Sequence, residues 1–167
     1  PDRSFVLNAS SLRTNRRRTH RHPSRRALGA IALLVVLGAS TACESTEAER
    51  NQVIDLVNQS RAQNGLAPLK ENVQLSIKAD KWAQKLRDVC DLSHSRLADG
   101  APNEWMKLGE NVGYGGNIDQ VHVAYLNSPG HRANIMDSAY TQMGAAAVWG
   151  TCDGQHRVFT VQEFMKT

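Results

Sequence analysis

Three polar side chains in this sequence have the types and settings to do chemistry together. His94 lies in Leu92-Ser93-His94-Ser95, Glu110 in Gly109-Glu110-Asn111-Val112, and His131 in Ser128-Pro129-Gly130-His131-Arg132-Ala133-Asn134-Ile135-Met136. Two imidazoles and a carboxylate can hold a metal, pass a proton, or close a buried hydrogen-bond network. With a metal bound, His94 and His131 would be its ligands, and a hydrolase could follow with metal-bound water as nucleophile and Glu110 as base. Against catalysis, the chain has no His-Glu-x-x-His helix and no nucleophile elbow, and Ser93 and Ser95 read as loop polars. Binding or structural roles for the three residues are therefore favoured over a hydrolase.

The elements that must position these residues follow from spacing. Val53, Leu56 and Val57 mark a helix over 47–63, stopped by Gly65 and Pro68. A second helix starts at the cap Asn72 and buries Leu75, Ala79, Trp82, Ala83 and Leu86, so His94 falls just beyond its end. Its opposite face, with Lys78, Lys81, Lys85 and Arg87, reads as solvated. Residues 96–107 read as a loop, and Glu110-Asn111-Val112 as a short extended piece among glycines. Those glycines do not cradle phosphate, because no Lys-Ser or Lys-Thr follows them. A third helix begins at Asn117 or Asp119 and ends at Asn127; Ser128 can cap a fourth, with Pro129 at its first position and His131 in its first turn. Residues 143–149 and 157–165 read as strands joined at Asp153-Gly154. Early helices and a late antiparallel hairpin define an α+β class.

Charge is unevenly placed. The formal net charge is +4 over 167 residues. Residues 1–43 hold eight arginines and one aspartate, a net of +7, which leaves −3 for the rest and gives no basic patch for nucleic acid. An arginine-rich stretch, the apolar run 27–39 and the small residues Ser40-Thr41-Ala42 form the pattern of a secretory signal, with a single membrane anchor as the alternative. Ser24-Arg25-Arg26-Ala27-Leu28 resembles a short twin-arginine signal. Cys43 follows the small residues directly, where bacterial lipoproteins carry their acylated cysteine, although the usual leucine three positions earlier is Ser40. With Cys43 in the cleavage region, Cys90 and Cys152 remain to pair in an oxidising compartment, the alternative being buried free thiols. His20 and His22 belong to the leader, while His122 and His156 read as surface residues.

Taken together, several blocks resemble the CAP superfamily of cysteine-rich secretory, antigen 5 and pathogenesis-related proteins, in its short bacterial branch. They are Asn58-Gln59-Ser60-Arg61, Gly65-Leu66-Ala67-Pro68-Leu69, Ser93-His94-Ser95, Gly109-Glu110-Asn111-Val112, the 128–136 segment and Gly144. The resemblance covers roughly residues 50–165 and implies a three-layer α-β-α sandwich around an antiparallel sheet. It divides the chain into a signal peptide and cleavage region (1–43), a short tether (44–50) and the family's domain (51–167). It also implies a cleft in which His94, Glu110 and His131 match the family's two histidines and first glutamate. The fourth position falls near Ser128, where animal and plant members have a second glutamate and this chain has no carboxylate. Some relatives bind divalent cations at this cleft, so zinc or calcium is the cation to expect, although no cofactor is required. The resulting expectation is a secreted or cell-surface monomer, with Cys43 as a candidate lipid anchor. Its cleft would bind a lipid, glycan, peptide or protein partner.

Overall fold

The structure, a computed structural model, describes residues 45–167; the leader, its cleavage region and Cys43 lie outside the described residues. The elements run α1 (Glu47–Gln63), β1 (Lys70–Glu71), α2 (Val73–Val89), β2 (Lys107–Gly115), α3 (Ile118–Asn127), α4 (Pro129–Met136), β3 (Gln142–Cys152) and β4 (Gln155–Lys166). Helix starts follow capping chemistry. Thr46 and Glu49 form a reciprocal capping box on α1, and the Asn72 and Asn117 side chains accept from Leu75 N and Gln120 N. Residues 47–50, which the sequence reads as both the end of the tether and the start of the first helix, form the first turn of α1.

Ser128 departs from expectation. It occupies the N-cap position of α4, but its side chain makes no capping hydrogen bond. The residue belongs to two helices at once: its N–H is held by the carbonyls of Ala124 and Tyr125 in α3, and its carbonyl accepts from Arg132 N. That backbone continuity fixes the start of α4 without the hydroxyl.

The sheet order is β1-β3-β4-β2, with β1 parallel to β3 and the other pairs antiparallel. Two residues of β1 are too few for any periodicity to announce them. Strand β2 runs nine residues, longer than the short piece its glycines indicate. A Cβ at Gly113 would stand 2.9 Å from the Tyr125 ring, so glycine there makes room for a helix side chain against the strand and does not break it.

Alternation along the strands builds three layers. On one face Met143, Ala145, Ala147, Val158 and Phe164 pack against Val53 and Val57 of α1, Val121 and Tyr125 of α3, and Ile135 of α4. On the other, Ala146, Val148, Phe159, Val161 and Val112 pack against Ala79, Ala83 and Leu86 of α2. Arg61, also fully buried, ties the first of these layers together by donating to the carbonyls of Ala67, Ile135 and Asp137. Cys90 and Cys152 form a disulfide, with Cα atoms 5.5 Å apart, joining the end of α2 to the end of β3.

The tightest approach between layers is at Gly144, where an added Cβ would lie 2.2 Å from the backbone of Leu75 and Ser76 in α2. Gly144→Ala is therefore expected to lower stability by about 3 kcal/mol, because backbone on both sides must move. Gly130→Ala, with nothing within 4 Å of the new atom, is expected to be neutral or to stabilise by up to about 1 kcal/mol. Urea unfolding of both variants checks the pair. Replacing both Cys90 and Cys152 by alanine is expected to cost about 4 kcal/mol in the same assay, since their bond closes a loop of 62 residues.

Candidate functional site

One row of paired residues crosses the sheet on the α2 face: Gly144 on β3 pairs with Glu163 on β4, and Glu163 pairs with Glu110 on β2. Glycine at the first position lets α2 descend, and Lys78 on α2 then lies over the other two. Its ammonium contacts Glu163 Oε1, donates to Ser95 Oγ at 2.7 Å and lies 3.8 Å from Glu110 Oε2. All three charged side chains are almost fully buried.

Beyond the edge of β2 the segment after α2 supplies His94. Its Nδ1 is 2.7 Å from Glu110 Oε1, and the same oxygen accepts from Ser95 N at 2.9 Å. The ring itself is largely exposed, so Glu110 anchors an imidazole at the surface from beneath. Trp82 holds the preceding residue by donating its indole N–H to Ser93 O at 2.8 Å.

His131 meets the same strand one residue along. Its carbonyl accepts from the Asn111 side chain at 3.1 Å, and its ring packs on Tyr125 with centroids 4.9 Å apart. Asn111 also donates to Gln162 and accepts from Asn134, forming a second polar row one step from the first. Adjacent strand residues face opposite ways, so Glu110 faces the α2 layer and Asn111 the α3 and α4 layer. His94 and Glu110 are thus in direct contact, whereas His131 reaches this strand through the Asn111 side chain, on the face opposite Glu110. Ser128, half-buried, provides no carboxylate. Among the described residues, no three His, Cys, Asp or Glu side chains are grouped to hold a metal ion.

The pKa shifts follow from these contacts. Burial alone would raise Glu110, but the hydrogen bonds from His94 and Ser95 outweigh it and hold the carboxyl at about 2. The same bond to Glu110 raises His94 above the ordinary imidazole value. Glu163 is pushed up to about 8, first by burial and then by Glu110 alongside, against the pull of Lys78.

Two expectations from the sequence are corrected. Lys78 is not on a solvated face: it lies three residues after Leu75 and one before Ala79, so the buried stripe of α2 includes it. Lys81 and Lys85 do face outward. His122 is buried and shares a 2.8 Å hydrogen bond with Ser60 Oγ; desolvation lowers its pKa, while His156 is exposed and stacks on Trp149. Lys78 and Glu163 are the members of this buried cluster that motif reading misses. A signal for both was present, because each puts a charge in register with apolar neighbours, Glu163 with Phe159 and Val161, and Lys78 with Leu75 and Ala79. A charge so placed needs a partner.

Residues 54–164 match the cysteine-rich secretory protein family, and the chain belongs to it. Over 118 residues it is 31% identical to the protein YkwD of Bacillus subtilis, a match covering 65% of this chain and 46% of YkwD. Among solved structures it resembles an extracellular protein containing an SCP domain from Bacillus anthracis, with a TM-score of 0.56 and 26% identity over 71% of this chain and 40% of that one. It also shares the fold of an outer surface protein from Borrelia burgdorferi, with a TM-score of 0.61 and 19% identity over 70% of this chain and 90% of that one. The chain thus spans less than half the length of YkwD and of the anthrax protein.

Because Glu110 is depressed on folding, its contribution to stability is present above the ordinary carboxylate range and is lost as pH falls through about 2. The raised His94 gives stability that is full below the ordinary imidazole value and lost as pH rises through its folded value. Glu163 runs the other way from Glu110: its contribution is full in acid and is lost as pH climbs toward about 8. In His94→Ala the Glu110 carboxyl is expected to titrate above about 2, moving the acid unfolding limb to higher pH. Carbon NMR of the glutamate carboxyls, beside stability measured against pH, checks this. An unmoved Glu110 would show that Ser95 alone holds it.

Proposed function

We propose that this chain is an exported binding module of the cysteine-rich secretory family. Its ligand site is the groove between α2 and residues 93–100, and the ligand class is an anionic group carried on an apolar body. The observation that carries the reading is the lining of this groove of about 810 Å³, which combines Ile77 and Trp82 with Lys81, Lys85, Arg96 and His94. Asp99 is the one acid in that lining, although acids outnumber bases after residue 43. Such a surplus of cations over an apolar floor favours an anion that also has surface to bury. His94 offers Nε2, since Nδ1 is engaged by Glu110.

Export is supported by the leader pattern and by the Cys90–Cys152 disulfide, which persists in an oxidising compartment. No helix among the described residues is long and apolar enough to cross a membrane. Attachment through lipid on Cys43 is part of the same proposal, and mass spectrometry of the mature N-terminus decides it: an unmodified terminus removes the anchor and leaves the groove reading intact.

Decanoate and decanol are the paired probes for the groove. Decanoate is expected to change tryptophan emission saturably, with decanol at least about tenfold weaker, a difference of about 1.4 kcal/mol. Charge reversal at the exposed Lys81 and Lys85 together is expected to remove that preference while leaving the fold intact. Equal affinity for the acid and the alcohol would overturn the anionic class.

A further inference from the structure

We propose that the Lys78 ammonium is the resident cation of this site, standing where Glu163, Glu110 and the Ser95 hydroxyl would otherwise hold a hard divalent cation. The proposal does not rest on the groove's ligand, although Lys78 and Ser95 also line that groove. Two carboxyl groups, deprotonated when a metal binds, and a hydroxyl are an oxygen donor set of the kind calcium, magnesium and manganese prefer. The two glutamates are cross-strand neighbours in one row, and both carboxyl groups are removed from solvent. Buried carboxylates need compensating positive charge. Lys78 supplies it from the buried stripe of α2, with its nitrogen at Glu163 Oε1, 2.7 Å from Ser95 Oγ and 3.8 Å from Glu110 Oε2.

The oxygens already used make the same point. Glu110 Oε1 receives both His94 and Ser95 N, which leaves Oε2 as the atom open to a metal. Neither Glu110 Oε2 nor Glu163 Oε2 accepts from an N–H or hydroxyl of another residue among the described residues, and the two carboxyls meet each other there, so a cation on this side competes with the proton they share. A dication brought to Glu110 Oε2 would meet the ammonium across that oxygen. The expected zinc or calcium therefore does not fit at Glu110 while Lys78 is in place. A metal would require the lysine to leave, and the descent of α2 at Gly144 holds the lysine in.

Replacing the cation tests this directly. In Lys78→Ala the thermal unfolding midpoint is expected to fall, and to be raised again by manganese chloride or by ethylammonium chloride. Sodium chloride at matched ionic strength should not restore it. Manganese is expected to bind this variant at least about tenfold more tightly than the wild-type chain, read by the paramagnetic resonance of free manganese. Adding Glu163→Gln to Lys78→Ala should abolish the gain. Two results would overturn the proposal: a wild-type chain stabilised by manganese in a way that Glu110→Gln removes, or a Lys78→Ala chain that neither cation restores, including one that stays unfolded in both.

Discussion

The approach of α2 to β3 at Gly144 is the constraint on which the rest of the site depends. A helix normally stands off a sheet by the depth of its side chains. Here backbone meets backbone, because any Cβ at residue 144 would overlap Leu75 and Ser76. Ala146, two residues further along the same face of β3, keeps the neighbouring stretch small, and the helix lies low over it. Lowering α2 at this point sets where Lys78 can reach. The next two residues in the row are Glu163 and Glu110, so a single packing distance in the apolar layer fixes the separation of three charges.

Those charges are costly apart and tolerable together. A lone buried carboxylate would shed its charge, whereas two of them beside one ammonium can retain part of it. Unit charges 4 Å apart interact by about 4 kcal/mol at an effective dielectric constant near 20, which is comparable with the effective penalty of burying an ion. The net gain in stability is therefore small, but removing any one member is expensive because the others remain buried. Glu110 comes out ionised and Glu163 tends to keep its proton, although the two carboxyls face each other across one strand pair. The difference is hydrogen bonding: His94 and Ser95 N approach Glu110 from the open edge of β2, and Glu163 lies one strand further in.

Much of the fold was legible because its signals are local. Asn72 and Asn117 cap where their positions indicate, the α2 stripe gives a period of 3.6, and Asp153-Gly154 marks the hairpin. The family blocks around His94, Glu110 and His131 identify the strands and helix that carry them. What stayed hidden depends on pairing across the sheet. Lys78 looks like its outward neighbours Lys81 and Lys85 until the stripe is counted residue by residue. Glu163 looks like one side of an alternating strand until that side is known to face α2. His122 needs Ser60 from α1 to account for its burial, and β1 exists only because residues 142 and 143 offer it an edge.

Burying charge beneath a surface groove also bears on how tightly the proposed site would bind. The segment after α2 has little regular structure of its own, yet it is held in quick succession by the Cys90 disulfide, the Trp82 indole on Ser93, and Glu110 under His94. At Ser95, Lys78 then holds the hydroxyl and Glu110 accepts from the backbone N–H. Each tie comes from a residue already fixed by the core or the sheet. A wall made this way is ordered before any ligand arrives, so less binding free energy is lost to ordering it. Lys81, Lys85 and Arg96 can adjust at the rim, where solvent screens them and long side chains adapt. For the proposed ligand, the division would place rigidity at the imidazole and adaptable charge at the rim. Shifting α2 by the width of a methyl group at Gly144 would disturb the aimed part, through Lys78 and Ser95, before it reached the rim.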